Sequence, residues 1–178
     1  MAYKGQKSHE KWHERILEYL LEDPTRSIRE IAKEMKTYRQ KAWRQKKKLE
    51  EDKVIWGYTA IVDESKFNHV MYIILMKMGP MTRNFADIIT KRLTHRKPMK
   101  DKVRLLNVLY MNGEYDLLIM FTAPDHATAR RYYDSLRIVY NDYLLEKPAI
   151  MDVNFQFIRE GKINPEIEKI YGFIPQDL

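Results

Sequence analysis

Residues 27 to 48 read SIREIAKEMKTYRQKAWRQKKK, and they indicate how the first third of the chain folds. Ser27 and Glu30 have the spacing of a capping box, in which each side chain accepts a hydrogen bond from the backbone N–H of the other. The same cap chemistry recurs at Thr37 to Gln40 and predicts a further helix that runs to about Asp52. Two capped helices separated by two or three residues predict a helix-turn-helix.

The segments on either side fit the same domain. An amphipathic helix precedes the pair, with one face formed by Trp12, Ile16, Tyr19, Leu20 and Leu21. Asp23-Pro24 ends this helix. The apolar segment Lys53 to Tyr58 follows the pair and has the character of the strand or wing that closes a winged helix. We therefore predict a winged helix-turn-helix, with an N-terminal extension, over residues 1 to 57.

Positive charge is concentrated in this domain. The net charge is +7, and residues 1 to 57 contribute +5 of it, from 15 basic and 10 acidic residues. Residues 36 to 48 hold seven basic residues and no acid. A lone basic run is most often a solvated surface, but the second helix of a tight pair suits the DNA major groove. We predict DNA contacts from Tyr38, Arg39, Gln40, Lys41, Arg44, Lys47 and Lys48.

The predicted contacts divide by chemistry. Arginine pairs with guanine and glutamine with adenine through two hydrogen bonds each, so Arg39, Gln40 and Arg44 are expected to read base edges. The lysines are expected to neutralise phosphates. Ala42 and Leu49 mark the buried side of the helix, and Lys46 falls toward that side. Either the Lys46 stem covers the edge of the core, or Trp43 fills the space and the helix is rotated.

The remaining two thirds alternate strands and helices. The predicted order is a buried strand at 70–78, a helix bearing Phe85 and Leu93, a basic loop at 94–102, strands at 103–111 and 115–122, a helix at 124–144 and a strand at 150–158. Asn112-Gly113 is a hairpin signal. This βαββαβ order predicts an α+β chain with a ferredoxin-like domain over residues 70 to 158, preceded by a linker strand at 58 to 69. The sheet face without helices is expected to pair with a second subunit.

Several functional classes are excluded. The chain has no cysteine, so disulfides, thiolate nucleophiles and cysteine-bound zinc are ruled out. No catalytic acid–base pair is visible, and we predict no enzymatic activity, no catalytic residue, no metal site and no cofactor. No apolar run approaches the roughly 20 residues of a membrane helix, and the first residues do not resemble a signal peptide. A cytoplasmic protein with no membrane partner is expected.

The combination of these domains resembles the Lrp/AsnC, or feast/famine, family of transcription regulators over roughly residues 13 to 158. The resemblance is carried by Ile16-Leu17, the segments 27–35 and 49–58, and Gly113-Glu-Tyr-Asp116. It implies a homodimer built through the C-terminal domains, often assembled into an octamer, that binds double-stranded DNA. It also implies a small effector, frequently an amino acid, which would be bound at Asn112, Gly113 and Asp116. Turn chemistry is the alternative for this loop, with a positive φ at Gly113 and a cap from Asp116.

The chain departs from the family pattern at several places. Lys36-Thr37-Tyr38 replaces the usual Gly-Leu-Ser before the recognition helix. The apolar tail at 159–178 extends beyond the last family strand and is expected to dock on a subunit. Two alternatives to a regulator stay open. One is an enzyme subunit of the siroheme decarboxylase type, although Asn107 to Met111 lacks the histidine of those proteins, and the other is an architectural DNA-binding protein.

Overall fold

The protein is described by a computed structural model that covers residues 4–95 and 99–175. The chain forms two compact units, residues Met1–Ala60 and Ile61–Leu178. The predicted end of the DNA-binding domain at residue 57 lies three residues before the boundary between these units. No helix in the described part of the chain is long and apolar enough to cross a membrane.

Three helices form the N-terminal unit: α1 (Lys4–Glu22), α2 (Ile28–Glu34) and α3 (Arg39–Glu51). The first helix is longer than its apolar pattern predicts, since the pattern begins at residue 12 and the helix begins at Lys4. Its side chains Ile16 and Leu20 pack against Ile31 and Met35 around α2, and against Leu49 of α3. These contacts hold the two helices of the helix-turn-helix in a fixed relation.

The first predicted cap is present and the second is not. The Glu30 backbone N–H donates to the Ser27 hydroxyl (3.2 Å), and the Ser27 backbone N–H donates to the Glu30 carboxylate (2.8 Å). These bonds lower the pKa of Glu30. At the start of α3, however, Tyr38 occupies the N-cap position and makes no side-chain cap bond. Thr37 lies one residue before this position, and its backbone N–H donates to the Ala32 carbonyl (2.9 Å), so it does not receive the Gln40 side chain as a capping box requires.

Both α2 and α3 end in the same turn. The backbone N–H groups of Lys36 and Thr37 donate to the carbonyls of Lys33 and Ala32, which is the Schellman pattern. After α3, the N–H groups of residues 53 and 54 donate to the carbonyls of residues 50 and 49 in the same way. This turn needs a residue with positive φ, usually glycine, and here lysines take it, with φ of 51° at Lys36 and 60° at Lys53.

The predicted strands between the two domains are absent. Residues 54–63 form neither a helix nor a strand, and the linker continues into a 3-10 helix at Glu64–Phe67. The predicted wing strand at 53–58 and the linker strand at 58–69 are therefore both wrong. An extended segment becomes a strand only when a neighbouring strand accepts its backbone hydrogen bonds, and the described chain offers none at this position.

The C-terminal unit has the predicted βαββαβ order. Its elements are β1 (Val70–Met76), α4 (Arg83–Thr94), β2 (Met99–Lys100), β3 (Val103–Tyr110), β4 (Leu117–Ala123), α5 (His126–Val139) and β5 (Ala149–Asp152). They form an antiparallel sheet in the order β2-β3-β4-β1-β5. Without the short β2, this is the ferredoxin-like arrangement, so the predicted fold class is confirmed.

Both helices cover one face of the sheet. Phe85 of α4 and Tyr133 and Leu136 of α5 are buried in one core with Ile74 of β1 and Ile119 of β4. On the opposite face, Ile73 lies opposite Met120 and Leu75 lies opposite Leu118, and these four side chains are only half-buried. Met151, next to Ile73, is exposed on the same face. The prediction of an apolar face without helices is correct.

Several boundaries in this unit differ from the predictions. Asp125 caps α5, which begins at His126 and not at Pro124, and a separate 3-10 helix at Asn141–Tyr143 follows it. Strand β5 stops at Asp152, which pairs with Tyr72, and does not reach residue 158. Strand β1 begins at Val70 and could pair with only two further residues of β5. Within the predicted basic loop, Met99–Lys100 pairs with Val103–Arg104 as a short hairpin, and residues 96–98 lie outside the described residues.

The C-terminal extension packs on its own unit. After β5 the chain forms a two-stranded hairpin, Ile158–Arg159 with Lys162–Ile163, and then a 3-10 helix at Ile167–Phe173. Arg159 binds the buried Glu64 carboxylate (2.6 Å), which Arg104 of β3 also contacts. Gln156 contacts the sulfur of Met71 on the helix-free face of the sheet. The extension therefore makes contacts within its own unit, and its docking on a second subunit stays a prediction.

Candidate nucleic-acid interface

The core of the N-terminal unit fixes which side of α3 meets solvent. Ala42 and Leu49 are buried, as predicted, and they hold one side of the helix against α1 and α2. Residues seven apart lie on the same side of an α-helix, so these two positions define its orientation. The opposite side is presented outward along its whole length.

All seven predicted DNA contacts are exposed, and Gln40, Arg44 and Lys47 lie on the side of α3 opposite Ala42 and Leu49. Tyr38 at the N-cap is 85% exposed, and the other six are exposed along α3, namely Arg39, Gln40, Lys41, Arg44, Lys47 and Lys48. The structure thus brings the predicted set together on one element. Their contact with DNA stays a prediction, which we test below.

Few of these cations are neutralised by the protein. Lys46 and Lys47 are paired with Glu50 (3.7 Å) and Glu51 (3.6 Å) one turn later. Within the described side chains, no carboxylate lies within 4 Å of Arg39, Arg44 or Lys48. Arg39, Arg44 and Lys48 of α3 therefore present positive charge that has no acidic partner among the described side chains.

Two aromatic side chains, both missed as site residues from the sequence, support this surface. The Lys41 ammonium lies 4.1 Å from the ring centre of Trp12 in α1, and the Lys47 ammonium lies 5.2 Å from that of Trp43. Such cation–π contacts restrict a flexible lysine without removing its charge. Trp12 was assigned to the core by its helical spacing, and its partial burial agrees with that role as well.

The structure also answers which of Trp43 and Lys46 lies nearer the core. Trp43 is 49% exposed and lies on the outer surface of α3. Lys46 is less exposed, and its ammonium lies 4.8 Å from the ring centre of Tyr58. The lysine stem therefore covers the edge of the domain, and the helix is not rotated to bury Trp43. Trp43 joins the outward surface as an additional candidate contact.

The predicted effector residues lie in one loop of the C-terminal unit, between β3 and β4. Asn112 and Gly113 are exposed at its tip. Asp116 has a structural role, since its carboxylate accepts a hydrogen bond from the Met78 backbone N–H (2.7 Å) and its own N–H donates to the Met76 carbonyl (3.0 Å). The expected positive φ at Gly113 is wrong, because this longer loop turns without it, and the glycine with positive φ is Gly161.

Comparison with known proteins identifies the N-terminal unit. Residues 13–55 match the protein family described as winged helix-turn-helix DNA-binding. No curated protein is similar to the chain in sequence at a significant level. The name of the family includes a wing, although the segment after α3 has no strand in this chain.

Solved structures match nearly the whole chain. An AsnC family transcriptional regulator from Agrobacterium tumefaciens superposes with a TM-score of 0.63 at 19% identity, covering 87% of this chain and 96% of its own. The leucine response regulatory protein LrpA of Mycobacterium tuberculosis gives a TM-score of 0.67 at 14% identity, covering 86% and 98%. A Neisseria meningitidis transcriptional regulator in complex with L-Met gives 0.63 at 15% identity, covering 84% and 92%. The chain therefore has the fold of the Lrp/AsnC regulators, with a winged helix-turn-helix DNA-binding domain at its N-terminus.

Proposed function

We propose that the chain is a sequence-specific, DNA-binding transcription regulator of the Lrp/AsnC type that acts in the cytoplasm as a homo-oligomer. The observation that carries this proposal is the outward surface of α3, which is exposed, lacks acids from Lys36 to Lys48 and belongs to a winged helix-turn-helix. An α-helix fits the major groove of B-DNA, which is about 12 Å wide. Unpaired arginines and lysines on such a helix suit phosphates and guanine edges.

The two types of contact have separate roles. Arg39, Gln40 and Arg44 read base edges, because guanidinium and amide groups can make paired hydrogen bonds to a base. Lys41, Lys47 and Lys48 bind phosphates and supply most of the affinity through release of counterions. Lys41 is directed by Trp12 and Lys47 by Trp43, so these phosphate contacts are partly preorganised.

A second copy of the chain covers the apolar sheet face. Ile73, Leu75, Leu118 and Met120 are half-buried there and Met151 is exposed, and pairing two such faces removes them from water. A dimer then presents two α3 helices to half-sites about one helical turn, or a multiple of it, apart. Larger assemblies such as an octamer are built from these dimers.

The decisive experiment is to map the sites that the tagged protein occupies in its own genome and to measure its affinity for them. We expect paired half-sites and an affinity well above that for scrambled DNA of the same length at the same salt concentration. Equal affinity for both DNAs would indicate an architectural DNA-binding protein, and a single unpaired half-site in a footprint would contradict the dimer.

We further propose that a small effector, such as an amino acid, acts at the loop of Asn112, Gly113 and Asp116. The support is the resemblance of the fold, together with the L-Met complex of the Neisseria meningitidis regulator, which concerns that protein. The test titrates each amino acid against the complex of the protein with its mapped site. Asn112→Ala is the informative variant, because the Asn112 side chain has no hydrogen bond within the described residues. It should abolish the response and leave DNA affinity unchanged.

Asp116→Ala is the matched variant for the structural role. It removes a hydrogen bond to the Met78 N–H, and it should reduce the stability of the C-terminal unit by about 1–2 kcal/mol.

An effector response that survives Asn112→Ala would place the effector elsewhere. The absence of any response to the amino acids would remove them as effectors without affecting the DNA-binding proposal.

A further inference from the structure

A cavity lies between the helix layer and the sheet of the C-terminal unit. Its volume is about 250 Å³, and it is bounded by the end of α4, by α5 and by strands β3 and β4. Its apolar walls include Val108, Leu117, Ile119 and Leu136. None of the residues of the predicted effector loop takes part in it, so it is a separate feature of the domain.

The cavity exists because the helices cover the sheet unevenly. On the helix side, Leu117 and Ile119 of β4 are buried to 2% exposure. Leu105 and Val108 of the neighbouring β3 point to the same side, opposite Phe121 and Ile119, but they are only half-buried. The helix layer therefore closes over β4 and leaves apolar surface of β3 accessible from the cavity.

Cationic and polar groups line the same cavity. Lys91 and Arg92 come from the last turn of α4, where basic side chains interact favourably with the helix dipole. Neither has a carboxylate within 4 Å among the described side chains. The Arg92 guanidinium lies 5.9 Å from the ring centre of Tyr140. Burial raises the pKa of Tyr140, so its hydroxyl stays protonated and can donate a hydrogen bond.

We propose that this cavity binds a small amphipathic carboxylate, with its apolar body against Val108, Ile119 and Leu136 and its carboxylate on Arg92 and the Tyr140 hydroxyl. Pockets that take drug-sized ligands have volumes of about 300–1,000 Å³, so this smaller cavity suits a short branched organic acid. Guanidinium is the protein group best matched to a carboxylate, since it can form two parallel hydrogen bonds to it. The apolar walls supply the affinity and Arg92 the selectivity for an anion.

The test measures binding of isocaproate to the full-length protein by calorimetry in the absence of DNA. The neutral isocaproamide has the same apolar body and serves as the comparison ligand. We expect isocaproate to bind at least about tenfold more tightly than the amide, because charge-assisted hydrogen bonds are roughly twice as strong as neutral ones. Arg92→Met should remove this difference by weakening the acid and leaving the amide unchanged.

Two further variants act as controls. Arg130→Met removes an exposed arginine of α5 that is paired with Asp134 (3.2 Å) and does not line the cavity, so it should change neither affinity. Val108→Phe fills the cavity and should abolish binding of both ligands while the thermal midpoint is kept. Should Val108→Phe not fold, the Arg92 comparison still decides the matter.

Each outcome bears on the proposal. An acid that does not bind, an acid and an amide that bind equally, or an Arg92→Met variant with unchanged selectivity would each overturn it. Because DNA is absent from the experiment, none of these results bears on the proposed regulator function. A selective acid whose affinity falls only in the Arg92 and Val108 variants would establish the site.

Discussion

Arg44 in the N-terminal unit is exposed and has no carboxylate partner among the described side chains, whereas Arg104 and Arg159 in the C-terminal unit share the buried carboxylate of Glu64. The Arg159 guanidinium lies 2.6 Å from one Glu64 oxygen and also donates to the Val62 carbonyl (3.0 Å). Arginine is thus unpaired at position 44 and bound to a buried carboxylate at positions 104 and 159. Arg44 is therefore available to a polyanion, whereas Arg104 and Arg159 are held by Glu64.

This difference separates binding from folding. Removing a paired, buried charge leaves its partners without compensation, so the effect is on the stability of the fold. Removing an exposed, unpaired charge changes little within the protein, and its effect is expected on the DNA complex. Four substitutions test this separation, beginning with the largest expected effect.

Glu64→Gln should destabilise the C-terminal unit by about 3 kcal/mol, at the low end for a broken buried pair because both arginines are partly exposed. All three tryptophans lie within residues 1–60, so their fluorescence follows the unfolding of the N-terminal unit alone. In urea-induced unfolding, we expect Glu64→Gln to lower the midpoint followed by circular dichroism and to leave the midpoint followed by tryptophan fluorescence unchanged. Glu166→Gln, which removes a partly exposed partner of Lys66 and Lys169, is the control and should leave both nearly unchanged.

Arg44→Ala should weaken binding to a mapped site by about 1–3 kcal/mol more than binding to random DNA, because it removes a base contact. Fluorescence anisotropy with both DNAs at one salt concentration measures the two losses. The fluorescence transition in urea is the control and should not move. Equal losses on both DNAs would show that Arg44 does not read bases.

Lys48→Ala should weaken binding to both DNAs alike, because a phosphate contact carries no sequence information. The slope of log affinity against log salt should become shallower by about 1, the value for one lost phosphate contact. A titration between low and moderate salt gives this slope. If the slope is unchanged, Lys48 does not contact the backbone.

Glu51→Gln addresses the paired end of α3 and should have the smallest effect. Glu51 lies 3.6 Å from Lys47, and its removal leaves that cation available. We expect binding to random DNA to tighten by about 0.5 kcal/mol, the scale of one exposed ion pair. Glu18→Gln, an exposed acid on α1, controls for the change in net charge. Equal gains from the two variants would show that only net charge matters.

The sequence predicted those parts of the fold that depend on local pattern. The helical spacing of Ile16 and Leu20, the capping box of Ser27 and Glu30, and the alternation of strands and helices after residue 70 each report on a single element. Ala42 and Leu49 then identified the outward surface of α3. The structure agrees with each of these, because burial of one apolar face decides them and that face is visible in the sequence.

The features that the sequence did not predict depend on contacts between residues far apart in the chain. Residues 58–69 have the composition of a strand, but whether they form one depends on a neighbour that the sequence does not reveal. Arg159 meets Glu64 across 95 positions, so the path of the C-terminal extension could not be predicted. The cavity beside Arg92 arises from uneven packing of two helices, and no local signal marks it. The sequence could not show whether Trp43 or Lys46 lies nearer the core, because a helical wheel gives the direction of a side chain and not what it packs against.

Lys36 and Lys53 link the stability of this domain to its charge, and this link limits which residues can replace them in evolution. Each occupies a left-handed backbone position where glycine would avoid a conformational cost of about 1 kcal/mol. Selection for thermal stability alone would favour glycine at both positions. At Lys36, three residues before the start of α3, such a change would also remove a cation near the proposed DNA surface. The domain would then gain thermal stability and lose affinity for DNA. A more stable relative with glycine at this position is expected to bind DNA more weakly at the same salt concentration.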